Sequence, residues 1–173
     1  MPNMFKTEVL RQTPYWLNFL FAGQMYIASH SYTIGNGATA YVESIIPPTT
    51  GKIIHLLTRG ITVEGGGPIT IDLYEAPTVT DGTTPFIMSN LDRRSAKTPS
   101  WQLFSDPTGV SGGTHISTDI VSTGGGPKAT GALVSGTTEL IFHPSYRYVL
   151  KMTNLGSLAS TVIVSYLWYE SGN

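Results

Sequence analysis

The sequence predicts an all-β fold: an antiparallel β-sandwich of the jelly-roll type, with an N-terminal arm that includes a short helix. Three observations lead there. Apolar and polar residues alternate in segment after segment from Ser31 onward, the period of half-buried strands. The chain holds 19 Gly and 11 Pro in 173 residues, which favours turns over long helices. No strand–helix–strand spacing occurs, so the eight or nine strands that can be counted pair antiparallel.

The elements follow in order. Asn3 suits a helix N-cap, Phe5, Val9 and Leu10 fall on one face, and Pro14 ends the segment. A helix this short is marginal alone and needs a docking surface. Tyr15–Ala28 (YWLNFLFAGQMYIA) reads as a core strand or buried segment, or as an arm packed on a neighbouring subunit. It is too short to span a bilayer and is interrupted by Asn18, Gly23 and Gln24. No charged start or small-residue cleavage site marks it as a secretion signal. Ala40 to Ile46 alternates and stops at Pro47-Pro48, and Lys52–Thr58 (KIIHLLT) is apolar on both faces, as central strands are. Ile61–Tyr74 reads as a hairpin turning through Gly65-Gly66-Gly67-Pro68. The same tetrapeptide at 124–127 has unlike flanks, so it is shared turn chemistry and no repeat. Strand candidates in the irregular middle are Pro85–Met88, Trp101–Phe104 and His115–Val121. Thr138–Phe142 follows, and Tyr146–Thr153 with Ser160–Tyr169 closes the chain as a hairpin. Ser160–Tyr169 is apolar on both faces, so it is central or covered by a partner. The expected division is an arm over residues 1–30 and a sandwich over 31–173.

Composition narrows function. Hydrophobic residues make up 40% of the chain, enough for a sizeable core, while charged residues are only 12%, about half the average of ~25%. Uncharged surface of that extent is often covered by a partner. The net charge is −1, and Arg93-Arg94 is the longest basic run. Neither nucleic acid nor membrane is an expected partner. Without cysteine there are no disulfides and no thiolate metal sites.

The chemistry-bearing residues do not cluster along the chain. His30, His55, His115 and His143 show no metal-ligand spacing, and His55 inside an apolar strand reads as a hydrogen-bonded core histidine. Serines are numerous, but no GxSxG elbow is present. Asp72 and Glu75 are the nearest carboxylate pair, without a cleft to span. The glycine triplets lack the Lys-Ser/Thr of a phosphate loop, and Asp81-Gly82-Thr83 lacks the further acids of an EF-hand. No catalytic, cofactor or metal residue is expected. Tyr15, Trp16, Trp101, Tyr146, Tyr148, Tyr166, Trp168 and Tyr169 could line a sugar platform. Core packing is the default for most of them, and Trp101, bordered by loops, is the best surface candidate.

One succession of motifs points further. It comprises Ile69–Glu75 (ITIDLYE), Pro77-Thr78-Val79, Asp81-Gly82-Thr83, then Asn90, Arg93 and Ser95. Phe104, Asp106-Pro107-Thr108, Tyr146–Asn154 (YRYVLKMTN) and Thr161–Glu170 (TVIVSYLWYE) complete it. Over about two thirds of its length, from Ile61 on, the chain resembles tailed-phage virion proteins with head decoration or cement roles. The resemblance implies a small β-sandwich on the outside of a capsid, commonly a homotrimer, with no catalytic residue and no cofactor. Its partner would be the major capsid protein and its location the virion, after synthesis in the host cytoplasm. Two segments are the expected contacts. One is the apolar arm, with Phe5, Tyr15, Trp16, Phe19 and Phe21; the other is the loop with Asn90, Arg93 and Arg94, whose arginines suit a partner's carboxylates. Trp101 is the third candidate. The alternatives are a carbohydrate-recognition or tail-fibre adhesion module, or a tail or connector component.

Overall fold

The computed structural model describes residues 15–122, 130–135 and 139–172. The expected helix over 3–13, with Phe5, and the turn at 124–127 lie outside them. Helix α1 (Trp16–Phe21) precedes β1 (Met25–Ile34), β2 (Thr39–Ile45), β3 (Lys52–Gly65) and β4 (Ile69–Glu75). A middle excursion carries β5 (Thr78–Thr80), β6 (Thr84–Pro85), β7 (Ile87–Asn90), β8 (Gln102–Ser105) and β9 (Thr108–Ser111). The chain closes with β10 (Thr114–Val121), β11 (Thr130–Ser135), β12 (Leu140–Phe142), β13 (Arg147–Asn154) and β14 (Ser160–Gly172).

These strands form the antiparallel sandwich that the alternation predicts. Sheet A runs β11–β3–β14–β1–β7, with β12 also paired to β3, and sheet B runs β10–β4–β13–β2–β8–β6. Strands β5 and β9 make a separate two-stranded ribbon. The core lies between the sheets: Ile54, Ile61, Val63, Val162, Val164 and Trp168 from sheet A meet Val42, Ile71, Leu73, Leu150 and Met152 from sheet B. Each such side chain contributes about 1.5–3 kcal/mol by leaving water. Strand β14 is central, between β3 and β1; its inward residues fill the core, while outward Ile163 is 39% exposed.

Both expected hairpins are sheet-to-sheet corners. Strands β3 and β4 belong to different sheets, as do β13 and β14. Lys52–Thr58 and Ile61–Gly65 are one fourteen-residue strand, with Leu57 left out of the pairing where the register shifts opposite Leu167/Trp168. The Pro85–Met88 segment likewise divides at Phe86, β6 going to sheet B and β7 to sheet A. Tyr15–Ala28 is no single core strand: it supplies a six-residue helix with no buried residue and then the start of β1. The arm boundary expected at residue 30 therefore falls inside β1, and residues 25–30 are sheet.

Three corners meet at one end of the sandwich, and Asn154 holds them together. Its fully buried amide donates to the carbonyls of Ile34 (2.9 Å) and Leu158 (2.8 Å), and its Oδ1 accepts the Gly156 N–H. The Leu155 N–H reaches the Pro68 carbonyl at 2.9 Å. The corners approach so closely that a Cβ on Gly67, at φ +138°, would lie 2.6 Å from the Gly156 Cα. Only glycine fits both demands.

Candidate functional site

The chain's own middle segment packs on part of the outer face of sheet B. Val149 points outward between core residues Tyr148 and Leu150, yet it is fully buried. Buried Glu43 accepts the Gly82 N–H at 2.8 Å and pairs with Arg147 at 2.8 Å. Arg147 also pairs with Asp81, and hydrogen bonding to Asp81 raises the guanidinium pKa further. Asp81-Gly82 is thus a clamp that fastens the loop to the sheet.

The outer face of sheet A is different. Register and burial set its outward side chains in a grid. Ser89, Ile27, Leu167 and Thr58 make one row; Ile87, Ser29, Ser165 and Gly60 make the next. Ser31, Ile163 and Thr62 follow, then Thr33, Thr161 and Glu64. The first three rows contain no charged side chain, and Glu64 stands at the corner edge. Ile87 is 85% exposed, Ile27 41% and Ile163 39%. A solvated sheet face ordinarily presents polar residues on its outward positions; here three exposed isoleucines stand among the Ser and Thr.

An aromatic rim borders this grid. Phe19 of α1 stacks on Tyr169 at 4.3 Å, and Tyr15 meets the same ring edge-on at 6.4 Å. Tyr15 (66%) and Phe21 (69%) remain largely exposed, and Trp16 partly so. The loop following β7 packs beside the helix: Asn90 Nδ2 donates to the Gly23 carbonyl and Lys97 Nζ to that of Ala22, both at 2.8 Å. The structure therefore brings the arm and the Asn90/Arg93/Arg94 loop together at one end of sheet A. Arg94 is turned back onto Asp92 at 2.9 Å, whose carboxyl is held below its ordinary range by that hydrogen bond. Arg93 is exposed and has no ion-pair partner among the described residues.

Trp101 is not a surface residue. It is 1% exposed, packs edge-on against Trp168 at 5.0 Å and donates its indole N–H to Ser44. Glu170 accepts the backbone N–H of Ser100 (2.8 Å) and of Trp101 (3.1 Å), which anchors the loop that delivers the ring. Tyr148, Tyr166, Trp168 and Tyr169 are also buried, so the sugar platform is not assembled.

The remaining candidates separate or recombine. Asp72 meets His115 at 3.5 Å and accepts a hydrogen bond from Thr118; Glu75 takes no part. His55 is an outer-face residue, not a core one: its neighbours are Glu139, Ser171 and Tyr169. Arg59 crosses the interior to Asp119 at 2.6 Å beside a cavity of about 20 Å³, room for about one water. No group of three metal-binding side chains occurs among the described residues. Reading the sequence misses Ile27 and Ile87: Tyr15–Ala28 reads as a core strand or buried segment, and Pro85–Met88 only as a strand candidate with no outward face assigned. The two apolar faces of β14 were the available signal for Ile163 and Leu167. The chain matches no protein-family model, and a search of curated proteins finds no relative.

Proposed function

We propose that the chain is a virion structural protein of the tailed-phage decoration type, which docks on the capsid exterior through the outer face of sheet A. The observation that carries this reading is that one sheet face is uncharged and bare while the other carries charged side chains and is partly covered by the chain's own loop. A surface of Ile, Ser and Thr binds a partner surface equally free of charge, since no desolvated ion is left unpaired. The aromatic residues of α1 and the exposed Arg93, residue types that often dominate binding energy, extend the contact at one end. Each copy then stabilises the assembled shell by mass action. We infer a homotrimer, in which the arm links neighbouring copies.

The strand order supports the jelly-roll reading in particular. Pairings nest from the outside in: β1 with β14, β2 with β13, β3 with β11 and β12, β4 with β10. The lateral pairs β14–β3 and β13–β4 then roll that nest into two sheets. Jelly rolls of this kind recur in viral capsid proteins and lectins, and the burial of Trp101 removes the best aromatic platform from the lectin alternative.

The test is co-sedimentation with capsids stripped of this protein. Wild-type chain pellets with the shells, and Ile163→Lys, which places a charge at the centre of the grid, reduces binding at least tenfold while remaining folded. Unchanged pelleting of the folded variant rejects the sheet A face. No pelleting of wild-type chain rejects the capsid reading.

A further inference from the structure

We propose that Ser171, His55 and Glu139 form a nucleophilic relay, in which the Ser171 hydroxyl attacks carboxylic esters whose acyl chain lies in the adjoining apolar groove. The three side chains come from β14, β3 and the residue preceding β12, and they are hydrogen-bonded in line. His55 Nε2 lies 2.9 Å from Ser171 Oγ, and His55 Nδ1 is paired with Glu139 Oε1. This is the order a serine nucleophile requires: one ring nitrogen takes the hydroxyl proton, and the carboxylate on the other fixes the tautomer and stabilises the imidazolium.

The base is unusually well held. Its ring stacks on Tyr169 at 4.4 Å and 8°, and Tyr169 is itself pinned from outside by Phe19. Tyr169 Oη donates to the same Glu139 oxygen at 2.8 Å, so the carboxylate is oriented twice over. The His55 side chain is 15% exposed and Ser171 is half-buried, which leaves the hydroxyl reachable. Ile53 stands opposite Ser171, and Ile141 opposite His55, in the strand register. Both line a groove of about 270 Å³ with Phe142, His143 and Pro144. Its apolar walls suit a short acyl chain.

The step balances with water as the only co-reactant. Ser171 Oγ bonds to the ester carbonyl carbon as its proton passes to His55 Nε2. The carbon–alkoxy bond breaks, and the alcohol leaves with that proton. Water then bonds to the acyl carbon as its proton passes to His55 Nε2; the carbon–Oγ bond breaks, His55 gives that proton to Ser171 Oγ, and the acid leaves.

The experiment treats the full chain with p-nitrophenyl butyrate and, separately, with a fluorophosphonate, followed by mass spectrometry of the peptides. A stoichiometric burst of p-nitrophenolate and one adduct on Ser171 are expected. Ser171→Ala abolishes both, and His55→Asn slows labelling at least 100-fold. Glu139→Gln slows it about tenfold, and thermal unfolding is measured for each variant. An unlabelled Ser171 in the wild-type chain overturns the proposal, as does labelling whose rate a folded His55→Asn leaves unchanged. Should His55→Asn fail to fold, the comparison of wild type with Ser171→Ala decides.

Discussion

Asn154 makes hydrogen bonds in two corners that join the sheets, and its neighbour Leu155 ties in a third. Asn154→Ala removes the donor from the buried Ile34 carbonyl and the part-buried Leu158 carbonyl and the acceptor from the Gly156 N–H, at about 1–3 kcal/mol for the buried group and less for the others. Chemical denaturation should therefore give a loss of about 2–4 kcal/mol with an unchanged slope. At the other extreme of polarity stand the buried phenols. Burial first, and then the Glu170 charge, push Tyr26 up to about 12; burial pushes Tyr148 up to about 12 as well. A raised folded-state value means that the neutral form is favoured by folding. That stability is complete below the unfolded phenol value near 10 and is lost as pH rises from 10 through 12. Absorbance at 295 nm should show these tyrosines ionising together with cooperative alkaline unfolding; smooth ionisation near pH 10 in a folded chain contradicts the burial. The place of Tyr148 in the core was legible from alternation, and that of Tyr26 only from the apolar run that contains it. The role of Asn154 was not, because a turn of Asn-Leu-Gly-Ser reads the same whether it joins neighbours or opposite sheets.

That ambiguity governs the elements. Strand identity follows from period-two alternation, which is local, and β2, β8, β10, β13 and β14 stand close to where alternation puts them. Pairing partners are set by distant contacts, so Ile61–Tyr74 looked like a hairpin although its halves lie in different sheets. Tyr15–Ala28 failed for another reason: its apolar residues serve a partly docked helix and a strand in succession, and no charge separates them. The clamp on sheet B was equally hidden, since Glu43, Asp81 and Arg147 are far apart in sequence. Arg147→Ala should strand the fully buried Glu43 carboxylate; the guanidinium is more than a third exposed, so the cost is about 1–2 kcal/mol rather than that of a wholly buried pair. Hydrogen exchange should then show faster amide exchange across residues 76–82, with sheet A unaffected. Equal acceleration in both sheets would contradict a clamp confined to the loop.

At the scale of the whole molecule, the low charge announced by composition proves to be concentrated on one face. The amount was legible in the sequence; the location was not, because it depends on the register of β1, β7, β14 and β3. On the proposed reading, the grid on sheet A and the rim on α1 make separable contributions to assembly. Removing residues 1–21 should weaken self-association in sedimentation velocity while the sandwich, whose buried core among the described residues begins at Met25, stays folded with its midpoint lowered only by loss of the Phe19–Tyr169 stack. Ile27→Lys and Ile163→Lys, both on exposed positions, should each alter stability by no more than about 0.5 kcal/mol and act on capsid binding alone. The most direct measurement is an electron cryomicroscopy reconstruction of capsids carrying the protein, with the sandwich fitted into the external density. If sheet A is the docking face, Ile27, Ile87 and Ile163 face the shell and the loop-bearing face of sheet B faces solvent. A fit with sheet A pointing outward, or density only at the tail, would contradict it.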